Sequence, residues 1–168
     1  MGNQVAPSTQ RWCRQGIDLR HNERVILNAQ YFNIAPKLIW RQTASQPIVA
    51  VDTRGIWFGR SIQAGTIKTS YVEVFSYGFL CGYLNSDFIE RRYEEIVREK
   101  GRVYPQLKLQ NLRALPIAVP TVEERTAVER LVDKLTNACS RGNSSDNINS
   151  LLLELNWLVD EFVKRSDL

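Results

Sequence analysis

Lys37-Leu-Ile-Trp-Arg-Gln-Thr43 and Val51-Asp-Thr-Arg-Gly-Ile-Trp-Phe-Gly-Arg-Ser61 are two short runs in which apolar, strand-forming residues stand beside Arg, Gln, Thr and Ser. The apolar members favour a pleated, half-buried backbone. The polar members are the side chains that hydrogen-bond phosphates and base edges. Two readings fit: a sheet that turns guanidinium and amide tips toward a nucleic acid, or an ordinary soluble sheet with a polar rim. Leu38-Ile39-Trp40 are consecutive apolar residues, as in a strand covered on both faces. Ala44 to Pro47 predicts a turn and Ile48 to Asp52 a second buried strand. Thr53-Arg-Gly55 predicts a tight reversal into Ile56-Trp-Phe58. Ser61 to Thr69 reads as a polar loop, and the alternation in Ser70 to Phe75 predicts another strand.

Upstream, Met1 to Gln10 is small and polar and is expected to fray, while Val25-Ile-Leu and Tyr31-Phe suggest an entering strand. Downstream the period changes. Phe79, Leu80, Tyr83 and Leu84 suit a short buried helix. Phe88, Ile89, Arg92, Tyr93 and Ile96 continue at helical spacing behind Ser86 as N-cap, up to Gly101. A basic, amide-rich stretch from Arg102 to Arg113 leads to an extended Leu115-Pro-Ile-Ala-Val-Pro120. The expected fold is α+β: residues 1–120 form a small twisted sheet with packed helices, and residues 121–168 form a helical hairpin. Thr121-Val-Glu-Glu124 is a capping box. Val128, Leu131, Val132 and Leu135 make one apolar stripe; Ile148, Leu151, Leu152, Leu155, Val159 and Phe162 make a second. The stripes either close the core of the body or dock a partner subunit, including a second copy through these helices.

The chain has 168 residues, 43% apolar and 24% charged, with a net charge of +4. These are the proportions of a folded domain with a real core. Residues 1–120 carry 16 Lys and Arg against 9 Asp and Glu, whereas residues 121–168 carry 6 against 9. A basic body with an acidic tail suits a polyanion at the body and a different partner at the tail. No stretch has the length of a membrane span and no signal peptide is evident, so the cytoplasm is the expected compartment. Cys13, Cys81 and Cys139 are widely spaced, and with His21 they match no zinc pattern; the thiols are expected to pack as small apolar groups.

Catalytic signatures are missing. No G-x-G occurs, so neither the adenosylmethionine nor the dinucleotide fingerprint is present, and no phosphate loop is found. No two prolines are adjacent, which excludes the Asn/Asp-Pro-Pro-aromatic loop of amino-methylating enzymes. Nuclease chemistry needs clustered carboxylates for magnesium. Asp52, Glu73 and Asp87 are available, while Glu90, Glu94, Glu95 and Glu99 lie among arginines that pair with them at helical spacing, as Glu94 does with Arg98. No cofactor and no metal is expected, and no catalysis by the chain alone.

Lys37 to Thr43, Ala50-Val-Asp-Thr53 and Gly55-Ile-Trp-Phe58 resemble the opening of TaqI-like C-terminal specificity domains, the target recognition domains of adenine-specific DNA methyltransferases and restriction-modification enzymes. Leu84-Asn-Ser86 after a short apolar helix is similar to their leucine-asparagine-serine motif. Leu115 to Pro120 resembles the segment before their distal helix, and Leu155-Asn-Trp-Leu-Val-Asp-Glu-Phe162 the closing helix that type I specificity subunits share. By this resemblance the chain is expected to begin close to the recognition domain, without the catalytic domain that members usually carry upstream. The resemblance therefore implies double-stranded DNA as one partner and a separate or missing methyltransferase or nuclease as another, in a prokaryotic cytoplasm. The expected contact residues are Lys37, Arg41, Gln42, Thr43, Arg54, Trp57, Arg60, Ser61, Lys68 and Thr69. Arg41 and Arg60 suit guanine and Gln42 suits adenine; Trp57 either wedges at a base step or is buried. Lys108, Gln110 and Asn111 form a second strip. Two rivals remain: an interaction module docking through the tail without DNA, and a small nuclease built on Asp52 or Glu73.

Overall fold

A computed structural model describes residues 32–97 and 106–166. The entering strand around Val25, the helix stop at Gly101, Cys13 and His21 lie outside them. Strand β1 (Lys37–Arg41) is the centre of a three-stranded antiparallel sheet, with β2 (Val49–Asp52) on one side and β3 (Ile62–Gly65) on the other. Lys37 faces Asp52 across the first pair, and Arg41 faces Ile62 across the second. Directly opposed residues share a face. Leu38, Trp40, Val49, Val51 and Gly65 therefore point one way, and Lys37, Ile39, Arg41 and Asp52 the other.

Beyond the sheet come α1 (Tyr77–Leu84), α2 (Asp87–Val97), a short α3 (Leu109–Arg113), and the long pair α4 (Val122–Ser140) and α5 (Ser145–Arg165). The architecture is α+β, as the alternation of patterns predicted. The Thr121 capping box is complete: Thr121 Oγ1 accepts from the Glu124 N–H, and Glu124 returns a carboxylate to the Thr121 N–H at 2.7 Å. Ser86 caps α2, accepting from Ile89 N–H at 3.4 Å while its hydroxyl donates to Tyr83 O at 2.7 Å. Val128 and Leu131 of α4 and Leu155, Val159 and Phe162 of α5 are buried in the same core as Phe79, Tyr83 and Leu38. The tail stripes thus close the body's core. An aromatic column runs through it, with ring centroids 6.0 Å apart for Phe75 and Phe79, 5.7 Å for Phe79 and Tyr83, and 5.7 Å for Tyr83 and Phe162.

Helix α1 can approach α4 closely because Gly78 and Gly82 face it one turn apart. A Cβ at Gly82 would lie 2.7 Å from Val128 and 2.8 Å from Val132. Asn85, at the end of α1, clamps the outer edge of β2. Its amide donates to Val49 O at 2.8 Å and to Cys81 O at 2.7 Å, and its carbonyl accepts from Val49 N–H at 3.0 Å. An exposed strand edge leaves backbone groups unsatisfied; here one side chain satisfies both groups of Val49. The leucine-asparagine-serine run is thus a structural joint between strand, helix and helix.

Two strand expectations differ from the structure. Ile56 to Phe58 is not a strand; it belongs to the crossover that carries the chain from β2 to β3. The outer side of β1 is filled instead by Ile62–Gly65, out of the stretch that read as a polar loop. A central strand must satisfy its N–H and C=O groups on both sides, whereas the aromatic rings of the crossover find partners elsewhere: Trp57 stacks on Phe32 with centroids 4.9 Å apart, and Phe58 meets the same ring at 5.1 Å. Ser70 to Phe75 is likewise a 3-10 turn over Thr69–Tyr71 and a bend. Its carbonyls go to a side chain, since Arg125 donates to Glu73 O at 2.6 Å and to Val74 O at 3.3 Å. Cys139 departs from the packed role expected of the thiols: it is exposed in the last turn of α4, while Cys81 is partly buried and its burial pushes the thiol pKa up. Among the described residues no helix is long and apolar enough to cross a membrane.

Candidate nucleic-acid interface

The sheet has two ends, and the candidate contact residues divide between them. At the first, Arg41 ends β1, and Gln42 N–H donates to Ser61 O at 2.8 Å. Register then places Arg60 and Ser61 beside Arg41, because Ile62 is the direct partner of Arg41. Thr43 forms a bridge with Gln106, and Leu107 N–H donates to Gln42 O at 2.7 Å, which brings the start of the second strip, Lys108 and Gln110, to the same end. Arg41, Thr43, Arg60, Ser61 and Gln110 are exposed, and Gln42 and Asn111 are half-buried.

The second end carries Arg54, just past β2, and Lys68 with Thr69, just past β3; all three are exposed. A four-residue strand spans roughly 13 Å, which sets the order of the separation between the two groups. Among the described residues no carboxylate is ion-paired with Arg41, Arg54, Arg60, Lys68 or Arg113. Arg113, at the end of α3, is a cation that the second strip left out although it closes the same basic run. With Lys68 it lines a mostly apolar cleft of about 500 Å³ between the Leu38/Trp40 face of the sheet and helices α1 and α3.

Lys37 requires a correction. The sequence reading made it a contact, but its side chain is 1% exposed and ion-paired with Asp52, whose side chain is fully buried. The other ammonium protons go to Phe32 O at 2.7 Å and Ile34 O at 2.9 Å. An ammonium has three donors, and all three are used. Alternation along β1 gave no warning, because the face that holds Lys37 becomes interior only when the crossover folds over it and brings Phe58 within 5.9 Å of the ammonium.

The sequence makes Asp52 a candidate magnesium ligand, yet it accepts from Arg54 N–H at 2.9 Å and Ile56 N–H at 2.7 Å. Burial pulls its pKa upward, but the Lys37 hydrogen bond, the two backbone N–H groups and the ammonium's charge outweigh this and hold the carboxyl below its ordinary value. The pair therefore shapes the turn that displays Arg54. Gly55 completes it with φ of +71°, a left-handed conformation that favours glycine. The tight reversal expected at Thr53-Arg-Gly55 is present, and the Asp before it is the signal for its side-chain brace. Trp57 is neither buried nor free: it is 49% exposed, with one face on Phe32 and its indole N–H donating to Asn33 Oδ1 at 3.0 Å.

No group of three or more His, Cys, Asp or Glu side chains among the described residues is arranged to hold a metal ion. Asp52 is committed to structure, and Glu73 is an exposed residue whose backbone anchors Arg125. What the described surface offers is donors: guanidinium, ammonium, amide and hydroxyl groups presented at two levels of a small rigid sheet. A family model described as the TaqI-like C-terminal specificity domain matches residues 5–117. No curated protein matches the chain.

Proposed function

The chain belongs to the TaqI-like C-terminal specificity domains, and from that premise we propose that it reads a sequence in double-stranded DNA for a methyltransferase or nuclease held on another domain or subunit. Domains of this family confer DNA sequence specificity in methyltransferase systems. The observation that carries the proposal for this chain is the hydrogen bond from Gln42 N–H to Ser61 O. It joins two separate runs of polar side chains at one end of the sheet, with Arg41 and Arg60 free of described carboxylates. In this reading Arg41 and Arg60 donate in bidentate fashion to guanine, Gln42 pairs with adenine, and Thr43 and Ser61 add shorter contacts. Arg54, Lys68 and Thr69 at the other end hold phosphates and fix the register of the domain on the duplex. Trp57, already stacked on one face, borders the duplex rather than entering it. Bond-making is left to the partner.

Mobility shifts on duplex DNA at low and moderate salt test the proposal. Binding should weaken steeply as salt rises, because phosphate contacts release counterions. Arg41→Ala and Gln42→Ala should lose sequence preference while keeping much of the affinity. Arg54→Ala or Lys68→Ala should weaken all duplexes alike and reduce the salt slope by about 1. A folded protein that binds no duplex at low salt would overturn the proposal.

A further inference from the structure

The α5 surface is not exhausted by its buried stripe. Leu155, Val159 and Phe162 point into the core, but Leu153 and Trp157 on the outward side of the same helix remain 69% and 64% exposed. They lie one turn apart, so they form a single apolar ridge on a helix otherwise held firmly in place. The ridge is flanked along its length by exposed polar residues: Asp146 and Asn149 toward the N-terminus, Glu161 and Lys164 toward the C-terminus. We propose that this ridge pairs with the same ridge of a second copy of the chain, antiparallel and about a two-fold axis level with Leu155.

The argument is charge complementarity in one register. When two copies of a helix lie antiparallel about residue 155, position 153 faces 157 of the other copy and 146 faces 164. Leucine then meets tryptophan twice and aspartate meets lysine twice. No like charges oppose. A parallel pairing would instead set Asp146 on Asp146 and Lys164 on Lys164. A two-fold contact must be self-complementary in this way. Lys164 rests on Glu161 of its own helix at 2.9 Å and keeps that contact while reaching Asp146 of the second copy. The distance from 146 to 164 is roughly 27 Å at helical rise, enough for both ion pairs to flank the apolar centre. A single helix pair lies at the small end of stable interfaces, so dissociation in the micromolar range is expected.

The pairing is independent of the DNA reading, and its test contains no DNA. Sedimentation equilibrium of the full chain, from about 1 to about 200 µM, should show a monomer–dimer equilibrium in that range. Trp157→Ser, at an exposed site, should leave the far-UV spectrum and thermal midpoint unchanged and weaken dimerisation by about a hundredfold. Asp146→Lys and Lys164→Asp should each weaken it by about tenfold, because each replaces two attractive contacts with two repulsive ones. The double swap D146K/K164D should restore the parental constant. A chain that stays monomeric at the highest concentration overturns the proposal. So does a dimer indifferent to Trp157→Ser, or one that the double swap fails to restore.

Discussion

Lys37→Met separates the two roles this residue can have. In the structure it removes the ammonium from Asp52 and leaves a buried carboxylate with only the N–H groups of Arg54 and Ile56. Both side chains are almost wholly excluded from water, at 1% and 0% exposure, so solvent screening does not soften the loss. Breaking a buried pair on one side costs about 3–5 kcal/mol. In a chain of this size that lowers the thermal midpoint by roughly 10 °C. Urea denaturation followed by tryptophan fluorescence and far-UV circular dichroism would measure it. The double variant Lys37→Met/Asp52→Asn, which removes both charges and keeps an acceptor for the turn, should recover about 2 kcal/mol of the summed single losses. The pH dependence carries a sign. Asp52 is depressed below its ordinary value of 3.8, so in the parent the pair's contribution is fully present above that value and fades as pH falls through the lowered one. In Lys37→Met the Asp52 carboxylate, left with two N–H groups and no cation, is instead relieved by protonation, so the deficit shrinks on acidification. A variant with parental stability at neutral pH but lost DNA affinity would refute the structural role and restore Lys37 as a contact.

Other substitutions probe the supporting frame. Gly82→Ala puts a methyl into Val128 and Val132 and should cost about 1–3 kcal/mol in urea denaturation, whereas Gly142→Ala meets no neighbouring atom and is strained only by its φ of +66°. Asn85→Leu leaves the N–H of Val49 without its partner and its C=O with only the Cys81 thiol at 3.5 Å; a loss of about 2 kcal/mol and faster amide exchange at Val49 should result. Glu124, bound at 3.1 and 2.8 Å by the Arg165 guanidinium, is held below its ordinary value of 4.5 because that guanidinium and the Thr121 N–H outweigh its desolvation. Its contribution of roughly 1 kcal/mol is thus complete above that value and is lost as pH falls through the lowered one; Arg165→Ala should flatten the stability profile there, as acid titration followed by circular dichroism would register.

Local signals were read correctly where the physics is local. Thr121 and Glu124 lie three residues apart because a helix start needs its free N–H groups filled, so the box is visible in any sequence. Ser86 announces α2 for the same reason, and the stripes at 128–135 and 148–162 follow from the 3.6-residue period. The α+β class and the two tail helices could therefore be named from the chain alone, and Arg41, Gln42, Arg60 and Ser61 could be named as candidates, which the sheet brings to one end. Tertiary structure decided the rest. Which segment fills the second side of β1 depends on which other segment its neighbours hold, and Trp57 and Phe58 pack on Phe32 instead of pairing with β1. Lys37 and Asp52 are fifteen positions apart and become partners only through strand register; neither residue type nor spacing marks a charge for burial. The Lys37 end of that face of β1 is enclosed by the chain's own crossover while Arg41 on the same face stays exposed, because burial is a property of what folds over a residue, and the sequence records only the residue.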